Sequence, residues 1–557
     1  MDALCINQHD VEERNHQVSL MRNIYSLARV VLSWLGNDKR VSLAFETIEL
    51  LDDLISSCLE EGGDPIDFSW LREEPSLCRD ESPGSLGYGI NMRWISLIVL
   101  FELPYWSRVW ILQEVVLAQI IIYVCPSRWI VSEKMKRVSY NMTQLREFVK
   151  IESHTRPSFI DRGVWLVMTS RFVKWVRIQT ISWLRERRQG PLDNASVLAM
   201  SALVRDLHAT DPKDYIYGLL GLTGLDIRPD YRETKTLEDV YSEYVTKWID
   251  LSLEGPKEGA RITELHFLAD AGVGLDCNSF NLPSWAPNYP GVGKTVHDTT
   301  SCHYGLADYE VFDQCVVRRR SVVMGPSLFV TGACLLRVDL VTRQPENEEM
   351  LMKYICNFVA RRSTHITGVP SVQSFFHVVR AVSSSGKSYA TLTQVMGFLI
   401  YLFTQMGKRT TFEILDASIV LGRNAETSFD DWIFETFFPG VQRPNDYDGT
   451  TLLPNLDADN IAESVSQFAG GCWIWFTNLG TYTFIETRDG DLGLAPKATL
   501  PGDVVCVLKG SGVLVTLRKV GNFYVHIGTC FVPGLMEGQA KQFLDSGRAK
   551  VETFELR

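Results

Sequence analysis

The sequence predicts an α/β fold at the N-terminus, followed by a helical middle region and a small all-β module at the C-terminus. Two β-branched, nearly all-apolar runs, residues 29–35 and 120–124, are separated by helical patterns, which is typical of an α/β unit. Because both runs are so apolar, we expect strands buried on both faces of a parallel sheet. From residue 469 onward, short β-type runs alternate with turn signals at the spacing of a hairpin meander.

Helix signals place several elements around these strands. Asp10 is expected to cap a helix whose apolar residues recur at helical spacing. A further helix is predicted over residues 104–118, directly before the second strand. Another is predicted over residues 211–221, where Asp211 can cap the first turn and Gly221 suits the exit.

The patterns divide the chain of 557 residues into four parts, because this length exceeds what one compact core usually supports. The α/β domain is expected at 1–130 and a mainly helical region at 131–290. Residues 291–450 give mixed signals and are left unassigned. Residues 451–557 are predicted to form a β-barrel-like module.

Composition narrows the class of protein. The net charge is −12, and an acidic chain without a basic tail does not attract nucleic acid, so we expect no nucleic-acid partner. No apolar stretch reaches the ~20 residues that cross a bilayer, so no membrane span is predicted. The N-terminus lacks the features of a signal or transit peptide, which predicts a cytoplasmic protein.

Metal binding is not predicted. The 12 cysteines include no CxxC pair, which argues against a zinc ribbon and a disulfide-dense scaffold and favours reduced thiols. Cys302, His303 and Cys315 have ligand-type side chains, but adjacent ligands followed by a long gap lack the paired spacing of zinc sites. We therefore expect neither a metal nor a resident cofactor.

Three separated blocks resemble the fungal heterokaryon-incompatibility (HET) domain family. The first is the run Asp-Ala-Leu-Cys-Ile-Asn-Gln at 2–8 with polar residues downstream, the second is 107–118, and the third is 211–221 with 229–231. The C-terminal module also resembles the tail common in this family. The motif residues of the first block are Asp2, Cys5, Asn7, Gln8, Glu13, Arg14 and Gln17.

The resemblance implies a TIR-like, three-layer N-terminal domain. Family members usually carry a further strand-and-helix segment ahead of the first block, whereas Met1 stands here where that block begins. We therefore expect a domain that lacks the first strand of its fold, either because the start was assigned too late or because the protein is a truncated paralogue. Such an open sheet would expose a strand edge and apolar helix surface.

The resemblance also implies a function in fungal non-self recognition, a form of innate immunity in which activation triggers incompatibility and programmed cell death. HET domains are similar to TIR domains, some of which hydrolyse NAD, so the implied enzyme is an NAD glycohydrolase with NAD as substrate. The implied partners are other HET-type or regulatory proteins, or a second copy of the chain. The alternatives are a non-catalytic protein-interaction module and an inactive truncated paralogue.

Ser107, Trp110 and Glu114 resemble the part of the TIR helix that bears its catalytic glutamate. Trp110 and Glu114 are four residues apart, so a helix sets an aromatic wall beside a carboxylate on one face. A carboxylate there would stabilise the oxocarbenium-like ribosyl centre formed as nicotinamide leaves. The alternative is structural, with Trp110 in the core, Ser107 as an N-cap, and Glu114 paired with Arg108 or a neighbouring helix.

Cys5 invites a second catalytic hypothesis, a thiol nucleophile with His9 or His16 nearby. A cysteine after an apolar strand is more typically a buried small hydrophobe. No Asn or Asp that would orient a histidine is identifiable, so we favour the buried interpretation.

The other motif residues have a positional interpretation. Asn7 and Gln8 precede the first helix, where they can satisfy backbone groups of the loop. Glu13, Arg14 and Gln17 lie within that helix and can cap or brace it. Their role in the family would then be to hold the fold.

Overall fold

The computed structural model of the chain contains two compact units. One comprises Met1–Lys247 and Glu254–Ile262, and the other comprises Trp248–Leu253 and Thr263–Arg557. The residues described are 5–83, 89–152, 156–169, 174–190, 192–254, 263–274, 282–289, 320–343, 345, 348–361, 370–380, 395, 399, 423–438, 482–535 and 539–557. Asp2, Cys302, His303 and Cys315 lie outside these residues.

The first unit is mainly helical. Its helices are, in chain order, α1 (Val11–Leu27), α2 (Lys39–Glu60), α3 (Pro75–Cys78), α4 (Met92–Phe101), α5 (Ile111–Val116), α6 (Ser132–Glu152), α7 (Arg162–Thr169), α8 (Trp175–Arg187), α9 (Asn194–Arg205), α10 (Asp214–Thr223) and α11 (Leu237–Glu254), the last of which extends into the second unit. The predicted cap of α1 is confirmed. Asp10 Oδ1 accepts from the backbone N–H groups of Glu12 and Glu13, each at 3.0 Å.

The strands of the first unit form a three-stranded sheet and a short hairpin. They are β1 (Val31–Trp34), β2 (Ser82–Pro83), β3 (Gly89–Ile90), β4 (Ile121–Val124) and β5 (Trp129–Val131). The sheet order is β1-β4-β5, and β2 pairs with β3. β1 and β4 are parallel, with Val31 opposite Ile121, so the predicted α/β unit is confirmed.

The prediction that β1 is buried on both faces is wrong. Val31 and Ser33 are buried, whereas Leu32 and Trp34 are 65% and 53% exposed. The alternation was hidden in the sequence because the exposed positions also carry apolar side chains. β1 therefore has one covered face in the part of the chain that the structure describes, and the third layer implied by the resemblance stays a prediction.

The helix predicted over residues 104–118 is interrupted. A 3-10 turn at Pro104–Ser107 comes first, and α5 begins only after Trp110, which is its N-cap. Between the two, the N–H of Val109 donates to the carbonyl of His208 at 3.1 Å. This backbone pairing with a distant residue replaces the bond that a continuous helix would have made.

The helix predicted over residues 211–221 begins and ends later than expected. It is α10, and it continues past Gly221 to Thr223. Gly224 ends it with a φ of 69°, the left-handed conformation that favours glycine. Gly221 therefore lies inside the helix, where its lack of a side chain serves packing instead of termination.

The second unit contains a closed β-barrel. Its strands are β6 (Val322–Met324), β7 (Ser327–Thr342), β8 (Tyr482–Thr487), β9 (Leu492–Pro496), β10 (Val504–Leu508), β11 (Leu514–Val520), β12 (Phe523–Cys530) and β13 (Val551–Leu556). Strands β10, β11, β12, β13 and β7 pair in this order, and β7 pairs back to β10, which closes the ring. The predicted C-terminal β-module is confirmed where the structure describes it.

Strand β7 was not predicted, because it lies in the region left unassigned from the sequence. It is 16 residues long and buried along most of its length, so its side chains give little of the alternation that marks a half-buried strand. Its first part pairs with β10 and β13, and its last part pairs with β8. One long strand thus belongs both to the barrel and to the β8–β9 extension.

The helices described in the second unit are α12 (Glu348–Arg361), α13 (Ser371–Arg380), α14 (Phe429–Phe437) and α15 (Ala540–Asp545). Of these, α12 and α13 pack against the β8–β9 extension. Phe375 of α13 stacks on Phe484 of β8, with ring centroids 5.2 Å apart, and Tyr354 of α12 lies 5.3 Å from Phe484. Among the described helices of the chain, none is long and apolar enough to cross a membrane.

Candidate functional site

The first motif block forms the turn that leads into α1. The N–H of Asn7 donates to Oε1 of Glu13 at 3.1 Å, and the side-chain oxygen of Asn7 accepts from the N–H of His9 at 3.1 Å. Gln8 is exposed and Gln17 is half-buried. The contacts of Asn7 and Glu13 agree with the positional interpretation of these two residues.

The expectation that Cys5 is a buried small hydrophobe is wrong. Its thiol is exposed, and the next residue, Ile6, is the buried one. His9 and His16 are exposed as well. The structure therefore places Cys5 on the surface of the turn instead of in the core.

Arg14 joins α1 to an acidic pair near the start of α10. Its guanidinium lies 3.2 Å from the carboxylate of Asp211 and 3.7 Å from that of Asp214. The guanidinium carbon lies 3.4 Å from the centroid of the Tyr231 ring, a cation–π contact. The backbone N–H of Tyr231 donates to the side-chain oxygen of Asn15 at 2.8 Å, so α1 holds Tyr231 through two successive residues.

Asp214 is the most buried carboxylate of this group, at 7% exposure. It accepts from the hydroxyl of Tyr231 and from the indole N–H of Trp110. Burial raises the pKa of Asp214, and the contacts with Tyr231, Arg14 and Trp110 oppose that rise. Burial also raises the pKa of Tyr231, so this phenol keeps its proton and acts as a donor.

We call Arg14, Trp110, Asp211, Asp214 and Tyr231 the Arg14 cluster. It brings together residues from all three sequence blocks that resemble the HET family. Arg14 belongs to the first block, Trp110 to the second, and the other three residues to the third. The sequence singled out these blocks separately. Their convergence is a property of the fold that no local pattern contained.

Close packing of α5 on α10 supports the cluster. The side-chain amide of Gln113 donates to the carbonyls of Tyr217 and Gly218, each at 3.0 Å. A Cβ atom on Gly221 would lie 2.6 Å from Gln113 Oε1, and one on Gly218 would lie 2.4 Å from Cγ1 of Val109. The two glycines of α10 therefore allow an approach that a side chain would prevent.

Glu114 lies in a second group, which we call the Glu114 cluster and which also contains Ser33 and Tyr105. Glu114 Oε1 accepts from the hydroxyl of Tyr105 at 2.8 Å and from that of Ser33 at 3.1 Å. Ser33 is buried in β1, and the Tyr105 ring packs edge-on against Trp106 with centroids 4.9 Å apart. Burial, followed by the nearby Glu114, raises the pKa of Tyr105 well above its usual value, so this phenol also remains a donor.

The three predicted catalytic residues have different hydrogen-bond partners. Ser107 is not the N-cap that the structural alternative proposed, since its hydroxyl donates to the carbonyl of Pro104 at 2.8 Å. Trp110 donates to Asp214 and belongs to the Arg14 cluster. Glu114 belongs to the other cluster, although both residues lie on the same helical turn.

Sequence reasoning missed Ser33 and Tyr105. Ser33 carries a recognisable signal, because it is the one polar residue in the apolar run at 30–35. Tyr105 carries none, since a tyrosine beside Trp106 is equally typical of a core. Both were missed because their common partner, Glu114, is distant in sequence from Ser33.

The Glu114 cluster can present an oriented carboxylate. Two hydroxyl donors on one oxygen fix the plane of the carboxyl group. A carboxylate held in this way can accept from sugar hydroxyls and stabilise a developing positive charge. Within the described residues, no group of three or more His, Cys, Asp or Glu side chains is placed to hold a metal ion.

Comparison with known proteins finds separate matches in the N-terminal unit and in the barrel unit. Residues 1–114 match the family described as Heterokaryon incompatibility protein (HET), and residues 458–547 match the Het-6 beta-barrel domain. The chain is therefore similar to the heterokaryon incompatibility family at its N-terminal part and at its C-terminal barrel. The first match contains Arg14, Trp110 and Glu114, and the second contains β8 to β12.

A curated relative extends the similarity beyond these two regions. Heterokaryon incompatibility protein 6, OR allele, from Neurospora crassa is 24% identical over 584 residues, which cover 97% of this chain and 81% of the relative. No solved structure matches the chain. The similarity to this relative therefore spans both units.

Proposed function

We propose that this chain acts in fungal heterokaryon incompatibility, where recognition of a non-self partner leads to programmed cell death, and that its N-terminal domain contributes a TIR-like NAD glycohydrolase. The similarity to a relative named for heterokaryon incompatibility supports the first part. The catalytic part rests on one observation, the Glu114 carboxylate that Ser33 and Tyr105 hold through the same oxygen. The implied partners are other HET-type or regulatory proteins.

In this reaction, the bond between C1 of the nicotinamide riboside and the pyridine nitrogen breaks, and its electron pair returns to the ring. Water adds to C1 and loses a proton to solvent, which yields ADP-ribose and nicotinamide. Nicotinamide is cationic at nitrogen before it leaves, so no acid is needed. Glu114 stabilises the positive ribosyl centre and orients its hydroxyls, while Ser33 and Tyr105 position Glu114.

The test measures the release of nicotinamide from NAD by the purified full chain, with chromatography to quantify the product. Glu114→Gln keeps the shape of the side chain and removes its charge, so kcat should fall by ~10²-fold or more. Glu102→Gln is the matched control, because Glu102 is an exposed glutamate of the same unit paired with Lys174 at 2.8 Å. Equal release by wild type, Glu114→Gln and the control would end the catalytic proposal.

A second candidate function, a non-catalytic interaction module, is favoured by the exposed apolar face of the β1-β4-β5 sheet. Leu32 and Trp34 are exposed on β1, in register with Ile122 and Val124, and Trp129 opposite Val124 is exposed on β5. Such a face is suited to a protein partner or a second copy. The test is growth arrest of a fungal host that expresses the chain. If the Glu114→Gln variant still arrests growth and the double variant Leu32→Asn/Trp34→Asn does not, the interaction module is favoured over the enzyme.

A further inference from the structure

Two cysteines face each other across neighbouring strands of the barrel. Cys334 on β7 is the direct partner of Cys506 on β10 in an antiparallel pairing, and both are free thiols. A side-chain hydrogen bond joins them. The family matches assign no role to this pair, and Cys334 lies outside both matched regions.

The register that places the two cysteines opposite each other is one that a disulfide can bridge. Directly opposed residues of an antiparallel pair place their Cβ atoms about 4.5–5.5 Å apart, and a disulfide needs about 3.5–4.5 Å. For a typical opposed pair, the Cβ atoms would have to approach by about 1 Å. The register shifts between Val505 and Cys506, and this irregularity is where the ladder can adjust most readily.

The two thiols differ in accessibility and acidity. Cys334 is half-buried, whereas Cys506 is fully buried. The hydrogen bond from the Cys506 thiol lowers the pKa of Cys334, and burial raises that of Cys506. Cys334 is therefore the more accessible and more acidic of the two thiols, and Cys506 is the thiol behind it.

We propose that Cys334 and Cys506 form a peroxide-sensitive thiol pair that closes into a cross-strand disulfide in the barrel. The Cys334 thiolate attacks one oxygen of hydrogen peroxide, the O–O bond breaks, and the hydroxide that leaves takes up the proton that the Cys334 thiol released on ionising, which gives water. The sulfur of Cys506 then attacks the resulting sulfenic acid, the S–O bond breaks, and hydroxide takes the Cys506 proton as a second water. Two thiols lose two electrons, and one peroxide is reduced to two waters.

Other thiols of the second unit provide internal comparisons. Cys530 is buried on β12, separated from β10 by β11, and burial raises its pKa to about 12. Cys356 is half-buried like Cys334, but burial raises its pKa to about 12. Neither has the combination of access, acidity and an opposed thiol that Cys334 has, so both should remain reduced.

The experiment uses the full chain, reduced, desalted and exposed to hydrogen peroxide at a stoichiometric concentration. Remaining thiols are blocked with N-ethylmaleimide, and peptide mapping without reduction identifies the cross-links. The wild type should lose two thiols in a peptide pair that joins Cys334 to Cys506. Cys334→Ser should lose the cross-link. Cys506→Ser should stop at a Cys334 sulfenic acid that dimedone traps.

Matched controls separate this pair from general oxidation. Cys530→Ser and Cys356→Ser should form the Cys334–Cys506 link as fast as the wild type does. Mapping is required because other cysteines, including the exposed Cys5, can also react. The proposal is overturned if Cys334 pairs with another cysteine, if it is overoxidised without a cross-link, or if it stays reduced while Cys356 reacts. None of these outcomes depends on NAD hydrolysis.

Discussion

The guanidinium carbon of Arg14 lies 3.4 Å from the centre of the Tyr231 ring, and the same guanidinium reaches Asp211 at 3.2 Å. One side chain thus ties the first motif block to the third through an aromatic face and a carboxylate. This contact gives a physical reason why the first and the third block occur together in one sequence. Arg14 holds two segments in place, and its positive charge opposes the rise in pKa that burial imposes on Asp214.

Arg14→Ala should therefore destabilise the first unit by about 2 kcal/mol or more, because it removes a cation–π contact and leaves a buried carboxylate without its cation. The measurement is the midpoint of urea unfolding. Arg40→Ala is the control, since Arg40 pairs with Asp38 at the surface and such pairs contribute about 0–1 kcal/mol. Equal shifts for the two variants would show that the Arg14 cluster contributes no more than a surface pair.

The glycines of α10 give a second stability prediction. Gly221→Ala should cost about 1–3 kcal/mol, because the new Cβ would lie 2.6 Å from Gln113 Oε1 and would force α5 and α10 apart. Gly190→Ala is the control, since its Cβ would meet only the Arg187 carbonyl at 3.4 Å. Thermal unfolding should show a lower Tm for Gly221→Ala alone. An unchanged Tm would mean that Gln113 relaxes at no cost.

A third prediction concerns the positioning of Glu114. Tyr105→Phe keeps the ring and removes the donor 2.8 Å from Glu114 Oε1, so kcat for NAD should fall about tenfold or more while the fold survives. Ser33→Ala should have a similar effect, and the double variant should lose less than the product of the two, because both act on one carboxylate. Tyr140→Phe, an exposed tyrosine of α6, should leave kcat unchanged. Full activity in Tyr105→Phe would remove Tyr105 from the proposed machinery.

The elements that the sequence predicted correctly depend on neighbouring residues. Asp10 caps α1 by accepting from the N–H groups of Glu12 and Glu13, and β1 and β4 were recognised from continuous β-branched runs. The exposure of Leu32 and Trp34 was not predictable, because it depends on what covers the sheet. Strand β7 was not predicted because most of its residues are buried, so its sequence lacks the alternation of a half-buried strand.

In the candidate site, too, local features were predictable and contacts between distant segments were not. Glu114 was identified from a resemblance over a few residues, but Ser33 reaches it only through the β1–β4 pairing and the crossover between them. Trp110 was expected beside Glu114, yet its partner is Asp214 on α10. Contacts between distant segments are fixed by tertiary packing, which local periodicity does not encode.

A fourth prediction concerns the barrel. Arg518 forms a two-point pair with Asp503, at 2.9 and 2.8 Å, and also donates to the carbonyl of Ala498. Asp503 is buried, so Arg518→Lys, which cannot reproduce the planar fork, should cost about 2 kcal/mol. Arg548→Lys is the matched control, because its pair with Asp489 is exposed on both sides. Urea midpoints that fall equally in both variants would contradict a special role for the Arg518 pair.

The last prediction concerns pH. Burial lowers the pKa of His526 on β12 from 6.5 to about 4, partly offset by the backbone of Ser284. Between these values the unfolded chain binds a proton that the folded chain excludes, so stability is full above pH 6.5 and declines as pH falls toward 4. The loss at pH 4 should reach roughly 3 kcal/mol.

His526→Phe removes the titrating group, so its urea midpoint should change less between pH 7 and pH 4.5 than that of the wild type. His9→Phe, a substitution at an exposed histidine, should follow the wild type. If His526→Phe and the wild type lose stability in parallel over this range, other groups cause the acid sensitivity and His526 is not buried in its neutral form.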